Sequence, residues 1–423
     1  MQHRFPFVSL ILIIAVFLIV RIQFWSNNET NGYNATSWDA FGYYMYLPGL
    51  FIYDDLRELK WVEKIDEKYK VTGGEFYQAI ELDSSGYYTN KYLSGVACLQ
   101  LPYFLIGHGI AHLTDYETDG FSAPYQYSIL LGGLMNVFIG LWLLIKTLKP
   151  YYSPLTIGFT LLFLGFTSNL IQYSSIDGAM SHSFIFPLYA LVLYLTMRWH
   201  KNPKRITALL LGAVIGLAVI SRPTEIIMIF IPLLWNFSNK EERKKKWQLV
   251  HHNRSHVILA LVGGLLAMAP QFIYWKYTTG GWIFNVGSKW YFLNPWFRVL
   301  VGPEKGWFLY TPVAILMVLG LFFMKRKPFS VSATVFIVLN IWIIIAWSDW
   351  TYGASYSTRP LVHSYPVFAL PLAALLSRCM DSVQRKSMVV IVLLMFTALN
   401  CYQLSLYNKG IGENFSPLVE WNK

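Results

Sequence analysis

Long apolar runs separated by short polar stretches dominate the pattern of this chain. Many of them approach the ~20 residues that a helix needs to cross a bilayer. About twelve such runs are present, at residues 5–25, 93–112, 122–145, 154–172, 182–198, 206–221, 223–237, 256–275, 308–324, 331–347, 363–378 and 387–406. The pattern predicts an all-α polytopic transmembrane bundle of about 11–13 spans, formed by a single integral membrane domain over residues 1–423.

Two polar segments between these runs are long enough to carry function, residues 26–92 and 276–307. We predict that 26–92 is the first extracytoplasmic loop and 276–307 a second long one. Within the first, the aromatic stretch 41–53 is too short to cross as a helix and predicts a helix lying in the membrane interface.

The composition agrees with a membrane protein. Hydrophobic residues make up 55% of the 423 and charged residues only 13%, against roughly 25% charged in soluble domains. The net charge of +11 is explained by cytoplasmic loops and needs no nucleic acid partner. The three cysteines lie in apolar runs without metal-binding spacing. The first run lacks a small-residue cleavage pattern, so we expect an uncleaved span.

Lysine and arginine clusters set the orientation of the later spans. The clusters are Arg198–Arg205, Lys240–Arg254, Lys325–Lys327 and Arg378–Lys386, each two spans from the next. They are predicted to face the cytoplasm. The segments that then face outward are 173–181, the turn at Arg222, 276–307 and 348–362.

The first third of the chain breaks this alternation. Arg4 favours a cytoplasmic N-terminus, which puts residues 26–92 outside, whereas counting back from the later clusters puts them inside. One segment must therefore fail to cross. The candidates are 41–53 and 93–112, the second of which contains Pro102; the sequence leaves both open.

The candidate site residues lie in the segments predicted to face outward. Asp39 precedes the aromatic stretch that contains Tyr43, and it can be either a functional acid or a helix N-cap. Lys91 stands at the start of an apolar run, where it can bind a phosphate or reach lipid headgroups. Asp177 and His182 lie close together in one outer turn, where a hydrogen-bonded core histidine is the simpler interpretation.

Arginines and aromatic residues mark two further outer segments. Arg222 interrupts two apolar runs, either as a phosphate ligand or in an internal pair with Glu225 that closes a hairpin. The last outer loop carries Asp349, Trp350 and Arg359, which suit a sugar ring or a plain interfacial belt. Walker A, HExxH, GxSxG and dinucleotide-glycine motifs are absent from the sequence.

Taken in order, these motifs resemble the GT-C superfamily of polytopic glycosyltransferases. The nearest likeness is to bacterial relatives of the protein mannosyltransferases and of the lipid A aminoarabinose transferase. The resemblance rests on Asp39, Asn90-Lys91-Tyr92, Met180-Ser181-His182, Ser221-Arg222-Pro223-Thr224, Gly306 through Pro312, and Trp350 through Arg359. One departure is the single acid at Asp39, where better-known members often carry an acidic pair.

The resemblance implies a multi-pass enzyme of a bacterial inner (plasma) membrane. It would transfer a hexosyl or pentosyl group from a polyprenyl-phosphate sugar to an acceptor hydroxyl of a lipid, glycan or protein. Asp39 would be the general base, and Lys91, Arg222 or Arg359 would neutralise the leaving phosphate. Tyr43, Asp177, His182, Asp349 and Trp350 would contact the substrates.

We expect membrane lipid as a further partner and neither a cofactor nor a metal. The alternative functions are a transporter or flippase of lipid-linked sugars, an enzyme like the O-antigen ligases and polymerases, and a non-catalytic scaffold.

Overall fold

The structure is a computed structural model that describes residues 2–26, 35–82 and 86–409. The first part of the chain forms α1 (Phe5–Ser26), α2 (Asp39–Tyr44), α3 (Tyr46–Phe51), α4 (Trp61–Tyr69), β1 (Ala79–Leu82), β2 (Tyr87–Asn90) and α5 (Gly95–His112). The middle part forms α6 (Ala123–Leu148), α7 (Pro154–Phe166), α8 (Ser181–Lys201), α9 (Arg205–Val219), α10 (Phe230–Leu233), α11 (Lys240–His252) and α12 (Arg254–Thr279). The last part forms α13 (Arg298–Val301), α14 (Trp307–Tyr310), α15 (Val313–Gly320), α16 (Ser330–Ala346), α17 (Tyr365–Arg378) and α18 (Val383–Lys409).

Each of the twelve predicted runs falls on helix, and the all-α polytopic class is confirmed. Within the described ranges, five helical segments are long and apolar enough to cross a membrane. Shorter apolar helices fill other runs, two of them joined to a 3-10 segment, Pro223–Ile229 before α10 and Leu321–Phe323 after α15. Local signals set the ends: Ser153 caps α7 through the Thr156 amide, and α12 stops at Gly280, whose φ is 75°.

The first loop folds against the outer ends of the spans. The predicted interfacial helix at 41–53 is two short helices, α2 and α3, separated at Met45. Phe41 and Tyr44 of this stretch are buried, while Leu50 and Phe51 are exposed. The hairpin of β1 and β2, which pairs Ala79 with Asn90, was not predicted.

Helix α5 is held near both of its ends by segments that the sequence predicts to face outward. At its start, the Gly95 amide donates to the Ile220 carbonyl (2.8 Å) beside the outer turn at Arg222. Beyond its end, Tyr44 and Tyr53 of the first loop donate to the carbonyls of Gly120 (2.5 Å) and Asp119 (2.9 Å). Both ends of α5 therefore contact outer elements. Contacts near both ends with segments predicted to face outward favour α5 as the one of the two candidate segments that does not cross.

Candidate functional site

Asp39 lies at the centre of a polar cluster on the outer side. Its Oδ2 accepts from Arg359 Nη2 (2.5 Å), and its Oδ1 accepts from the hydroxyls of Tyr92 (2.5 Å) and Tyr77 (3.1 Å). Trp38, with φ 56°, is the N-cap of α2, so the N-cap interpretation of Asp39 is wrong. Two predicted site residues from opposite ends of the chain thus form a direct ion pair, 17% and 23% exposed.

The first loop positions the Asp39 carboxylate through Asn90 and Gly42. The Asn90 amide group donates to the Gly42 carbonyl (2.7 Å), and its Oδ1 accepts from the Tyr92 backbone N–H (2.9 Å). The Tyr92 ring packs so closely on α2 that a Cβ at position 42 would overlap it. Tyr43 packs edge to face with the same ring, with centroids 4.8 Å apart. The Tyr92 hydroxyl is therefore held on Asp39 by backbone and ring packing together.

Arg359 is held in place by the two later outer loops. Thr358, immediately before it, donates its hydroxyl hydrogen to the Val299 carbonyl (2.9 Å). The Lys305 ammonium donates to the carbonyls of Gly353 (2.9 Å) and Ser355 (2.7 Å) and so joins loop 276–307 to the last outer loop. Burial, followed by the charge of Arg359, lowers the pKa of Lys305 to about 8. Lys305 thus places a titrating cation beside the site.

Opposing effects set the pKa of Asp39. Burial raises it, while the positive charge of Arg359 and the two tyrosine hydroxyls lower it, and the net pKa lies below the ordinary value of 3.8. Burial and the Asp39 charge raise the pKa of the Tyr92 hydroxyl far above its usual range, so this group keeps its proton. At neutral pH the centre is therefore a carboxylate with one cation and two hydroxyl donors.

His182 and Asp177 lie beside this centre. The charges of Arg222 and Arg359 both act on the His182 ring, which packs edge-on against Tyr173 with centroids 5.2 Å apart. Asp177 accepts from the Gln172 amide (3.0 Å), and Arg359 is also within electrostatic reach of it. Burial raises the pKa of Asp177. The structure therefore groups six predicted site residues in one region: Asp39, Tyr43, Asp177, His182, Arg222 and Arg359.

The alternative in which Arg222 pairs internally with Glu225 is wrong. Glu225 is buried, and its carboxylate accepts from His363 Nε2 (3.1 Å) and from the Tyr189 hydroxyl. Arg222 stays half-buried, makes no ion pair within 4.0 Å among the described residues, and acts on Glu225 only through its charge. The positive charge of Arg222 is therefore not neutralised by Glu225.

Three predicted residues lie at the edge of the cluster or have other partners. Lys91 is half-buried beside Tyr92, and its backbone N–H donates to the Gln78 carbonyl (2.9 Å). Asp349 is exposed and accepts from the Thr351 hydroxyl (2.7 Å). Trp350 packs against Trp296, with centroids 6.2 Å apart, and the Arg298 guanidinium lies 4.1 Å from its ring centroid. One face of Trp350 is therefore already covered.

Sequence reasoning missed Tyr77, Tyr92 and Lys305 as members of the site. Tyr92 stands inside a motif that the resemblance used and Lys305 immediately before another, whereas nothing in the sequence distinguishes Tyr77 from the other aromatic residues of the first loop. In the part of the chain that the structure covers, no three His, Cys, Asp or Glu side chains are grouped as metal ligands. The acid, the arginines and the hydroxyls give proton transfer and anion binding as the available chemistry.

The helices and this cluster define a polytopic membrane protein with a polar site formed by the segments predicted to face outward. Residues 122–275 match the family model described as Dolichyl-phosphate-mannose-protein mannosyltransferase, which confirms the resemblance to GT-C glycosyltransferases over that segment. The solved structure of ArnT from Cupriavidus metallidurans in the apo state is similar at 12% identity and a TM-score of 0.44. That match covers 69% of this chain and 51% of that one, so the chain spans about half the length of ArnT. No curated protein sequence matches the chain.

Proposed function

We propose that this protein is a membrane glycosyltransferase that moves a sugar from a polyprenyl-phosphate donor to an acceptor hydroxyl on the extracytoplasmic face. The observation that carries the proposal is the contact between Asp39 and Arg359, which places a proton acceptor and a phosphate-binding group side by side. The family match supports it, because residues 122–275 supply Asp177, His182 and Arg222 to the same region.

The proposed reaction is a displacement at the anomeric carbon of the donor. The acceptor oxygen forms the new bond to that carbon, and the bond from the carbon to the phosphate oxygen breaks with its electron pair. The acceptor's proton passes to Asp39. Arg359 and Arg222, with Lys91 at the edge, neutralise the phosphate as it leaves, which is the role that fixed cations perform best.

Donor binding and activation of Asp39 are linked in this scheme. While Arg359 is bonded to Asp39, the carboxylate has a lowered pKa and is a weak base. The guanidinium fork suits a phosphate at least as well as a carboxylate. A donor phosphate that takes over Arg359 therefore leaves Asp39 more basic and free to turn to the acceptor hydroxyl. Proton transfer would then wait until the donor is in place.

The finer assignments are part of the same proposal. The sugar is a hexosyl or pentosyl unit, with Tyr43, Asp177, His182, Asp349 and Trp350 as its proposed contacts. The acceptor hydroxyl belongs to a lipid, a glycan or a protein, and neither a cofactor nor a metal is proposed. The proposed location is a bacterial inner (plasma) membrane, with membrane lipid surrounding the chain.

A transporter of lipid-linked sugars is the second candidate, and one observation favours it. Glu225 and His363 form a buried ionisable pair within the helical region, and such pairs often mark transport pathways. A transporter would move labelled donor across a bilayer without cleaving it. The experiment below separates the two functions.

The test uses purified protein in proteoliposomes with a panel of radiolabelled polyprenyl-phosphate sugars. Wild type is compared with Asp39→Asn and with Asp115→Asn, which changes an exposed acid between α5 and α6. We expect donor hydrolysis or transfer by wild type and Asp115→Asn, and a loss of about 100-fold or more in Asp39→Asn. Equal turnover in all three would remove Asp39 as the base. Donor movement without cleavage would establish the transporter.

A further inference from the structure

A chain of buried hydrogen bonds leads inward from His182, and the proposed reaction assigns no role to its other three members. It runs from His182 through His363 and Glu225 to Tyr189, and each of these residues is at most 3% exposed. His363 lies on the 3-10 helix that begins at Arg359, the segment Arg359–Ser364. Ionisable groups buried in a membrane protein are expensive, so a paired set beside a polar site calls for a function.

The partners of Glu225 fix the hydrogen on His363. An ionised carboxylate can only accept, and the Tyr189 hydroxyl, the Thr224 hydroxyl (3.3 Å) and His363 Nε2 (3.1 Å) surround it as donors. His363 therefore carries its hydrogen on Nε2. In the neutral ring, Nδ1 is then an acceptor.

The hydrogen bond between the two histidines then fixes the hydrogen on His182. The two Nδ1 atoms are 3.1 Å apart, and the rings are nearly parallel, with an angle of 4° between their planes. With His363 neutral its Nδ1 accepts, and His182 Nδ1 is then the donor. The neutral His182 ring then has a bare Nε2, which lies on the opposite edge of the imidazole and so points away from His363.

We propose that Glu225 and His363 are positioning residues that fix His182 in the tautomer with an unprotonated Nε2, and that this nitrogen accepts a hydrogen bond from a sugar hydroxyl of the donor. Ionised phosphate oxygens carry no hydrogen, so a bare Nε2 cannot bind them. Arg222 and Arg359, whose charges reach the same ring, bind the phosphate instead. In this proposal, which rests on the proposed function, His182 binds the sugar and the two arginines bind the phosphate.

The first test is direct and needs no turnover. Protein labelled with ¹⁵N at its nine histidines is studied by NMR, and the His182 signal is assigned with His182→Gln. We expect a protonated Nδ1 and an unprotonated Nε2. In Glu225→Gln, the amide can accept from His363 or donate to it, so we expect the His182 shifts to move toward a mixture of tautomers. A wild-type His182 protonated on Nε2 would overturn the proposal.

The second test uses donor kinetics, which a merely structural role would affect differently. Glu225→Gln should raise KM for the polyprenyl-phosphate sugar about tenfold, the cost of one misdirected hydrogen bond, with kcat nearly unchanged. Inhibition by polyprenyl phosphate that lacks the sugar should stay at the wild-type level. The control is His256→Gln, since His256 is buried near the cytoplasmic ends of the helices, where it accepts from the Trp199 indole (3.2 Å).

The outcomes separate this proposal from the function on which it rests. An unchanged KM in Glu225→Gln, or an equal loss of sugar-bearing and sugar-free ligands, would overturn the role of the chain. Absence of any donor turnover by wild type would instead overturn the proposed function. The tautomer measurement decides the state of His182 in either case.

Discussion

Replacing Gly42 by alanine should displace the Tyr92 hydroxyl from the Asp39 carboxylate. Gly42 lies one helical turn after Asp39 in α2, and a Cβ built there would overlap three atoms of the Tyr92 ring. Helix α2 cannot retreat, because the Asn90 amide holds the Gly42 carbonyl from the β-hairpin side (2.7 Å). The ring must therefore move, and its hydroxyl leaves the Asp39 carboxylate.

Two costs set the size of the effect. Forcing one methyl group into a packed contact costs about 1–3 kcal/mol, and losing a hydrogen bond to a charged group costs about 1.5–3 kcal/mol. The two costs overlap, since a ring that moves relieves the first while incurring the second. We therefore expect Gly42→Ala to lower the free energy of unfolding by about 2–4 kcal/mol. Donor turnover should fall about tenfold or more, since Asp39 loses a positioning contact.

Thermal unfolding and donor turnover of the purified protein measure both effects. The matched control is Gly109→Ala in α5, where an added Cβ meets no atom within 4 Å and alanine is the better helix former by about 1 kcal/mol. Gly109→Ala should be neutral or slightly stabilising, with wild-type turnover. A Gly42→Ala protein as stable and as active as wild type would show that the Tyr92 ring is not fixed against α2.

Three further expectations concern topology and charge. A cysteine that replaces Thr114, just beyond α5, should react with an impermeant thiol reagent added from outside. A cysteine that replaces Lys201 should react only after permeabilisation. The reverse result at Thr114 would mean that α5 crosses. Because the pKa of Lys305 is lowered to about 8, donor affinity should decline as the pH rises through 8, and a Lys305→Met variant titrated in parallel should lack that decline. The folded-state pKa of Asp39 is below its unfolded value of about 3.9, so its pair with Arg359 stabilises the fold above that pH and is lost on further acidification. Acid unfolding of Asp39→Asn should accordingly depend less on pH below about 4.

The helices in the long apolar runs could be predicted from the sequence because each span is a local feature. Every predicted run contains a helix, since a stretch of that length and composition has few other ways to satisfy its backbone hydrogen bonds in a membrane. Whether α5 crosses could not be predicted from the sequence. It depends on where the two ends of that helix are held, by Ile220 at one end and by Tyr44 and Tyr53 beyond the other.

Some residues of the site could be predicted from the sequence, but their hydrogen-bond and ion-pair partners could not. Asp39 and Arg359 could each be identified as a charge in an aromatic outer loop, yet their contact joins positions separated by 320 residues. A pair between Glu225 and Arg222 was one alternative because the two are close in sequence, whereas in the fold the Glu225 carboxylate accepts from His363. In the sequence, Tyr77 and Tyr92 resemble aromatic residues of a membrane interface. Only the fold shows that their hydroxyls donate to the Asp39 carboxylate.

The pairing of Asp39 with Arg359 also has a consequence for how the chain is made. A ribosome releases the first loop long before it synthesises the last one, so during insertion the acid lacks the cation that offsets its burial. The site is completed only when the penultimate hydrophobic helix and the turn before it have entered the membrane. A nascent or truncated chain that stops earlier keeps this region loosely packed, and proteases that survey the membrane can therefore distinguish unfinished copies from finished ones.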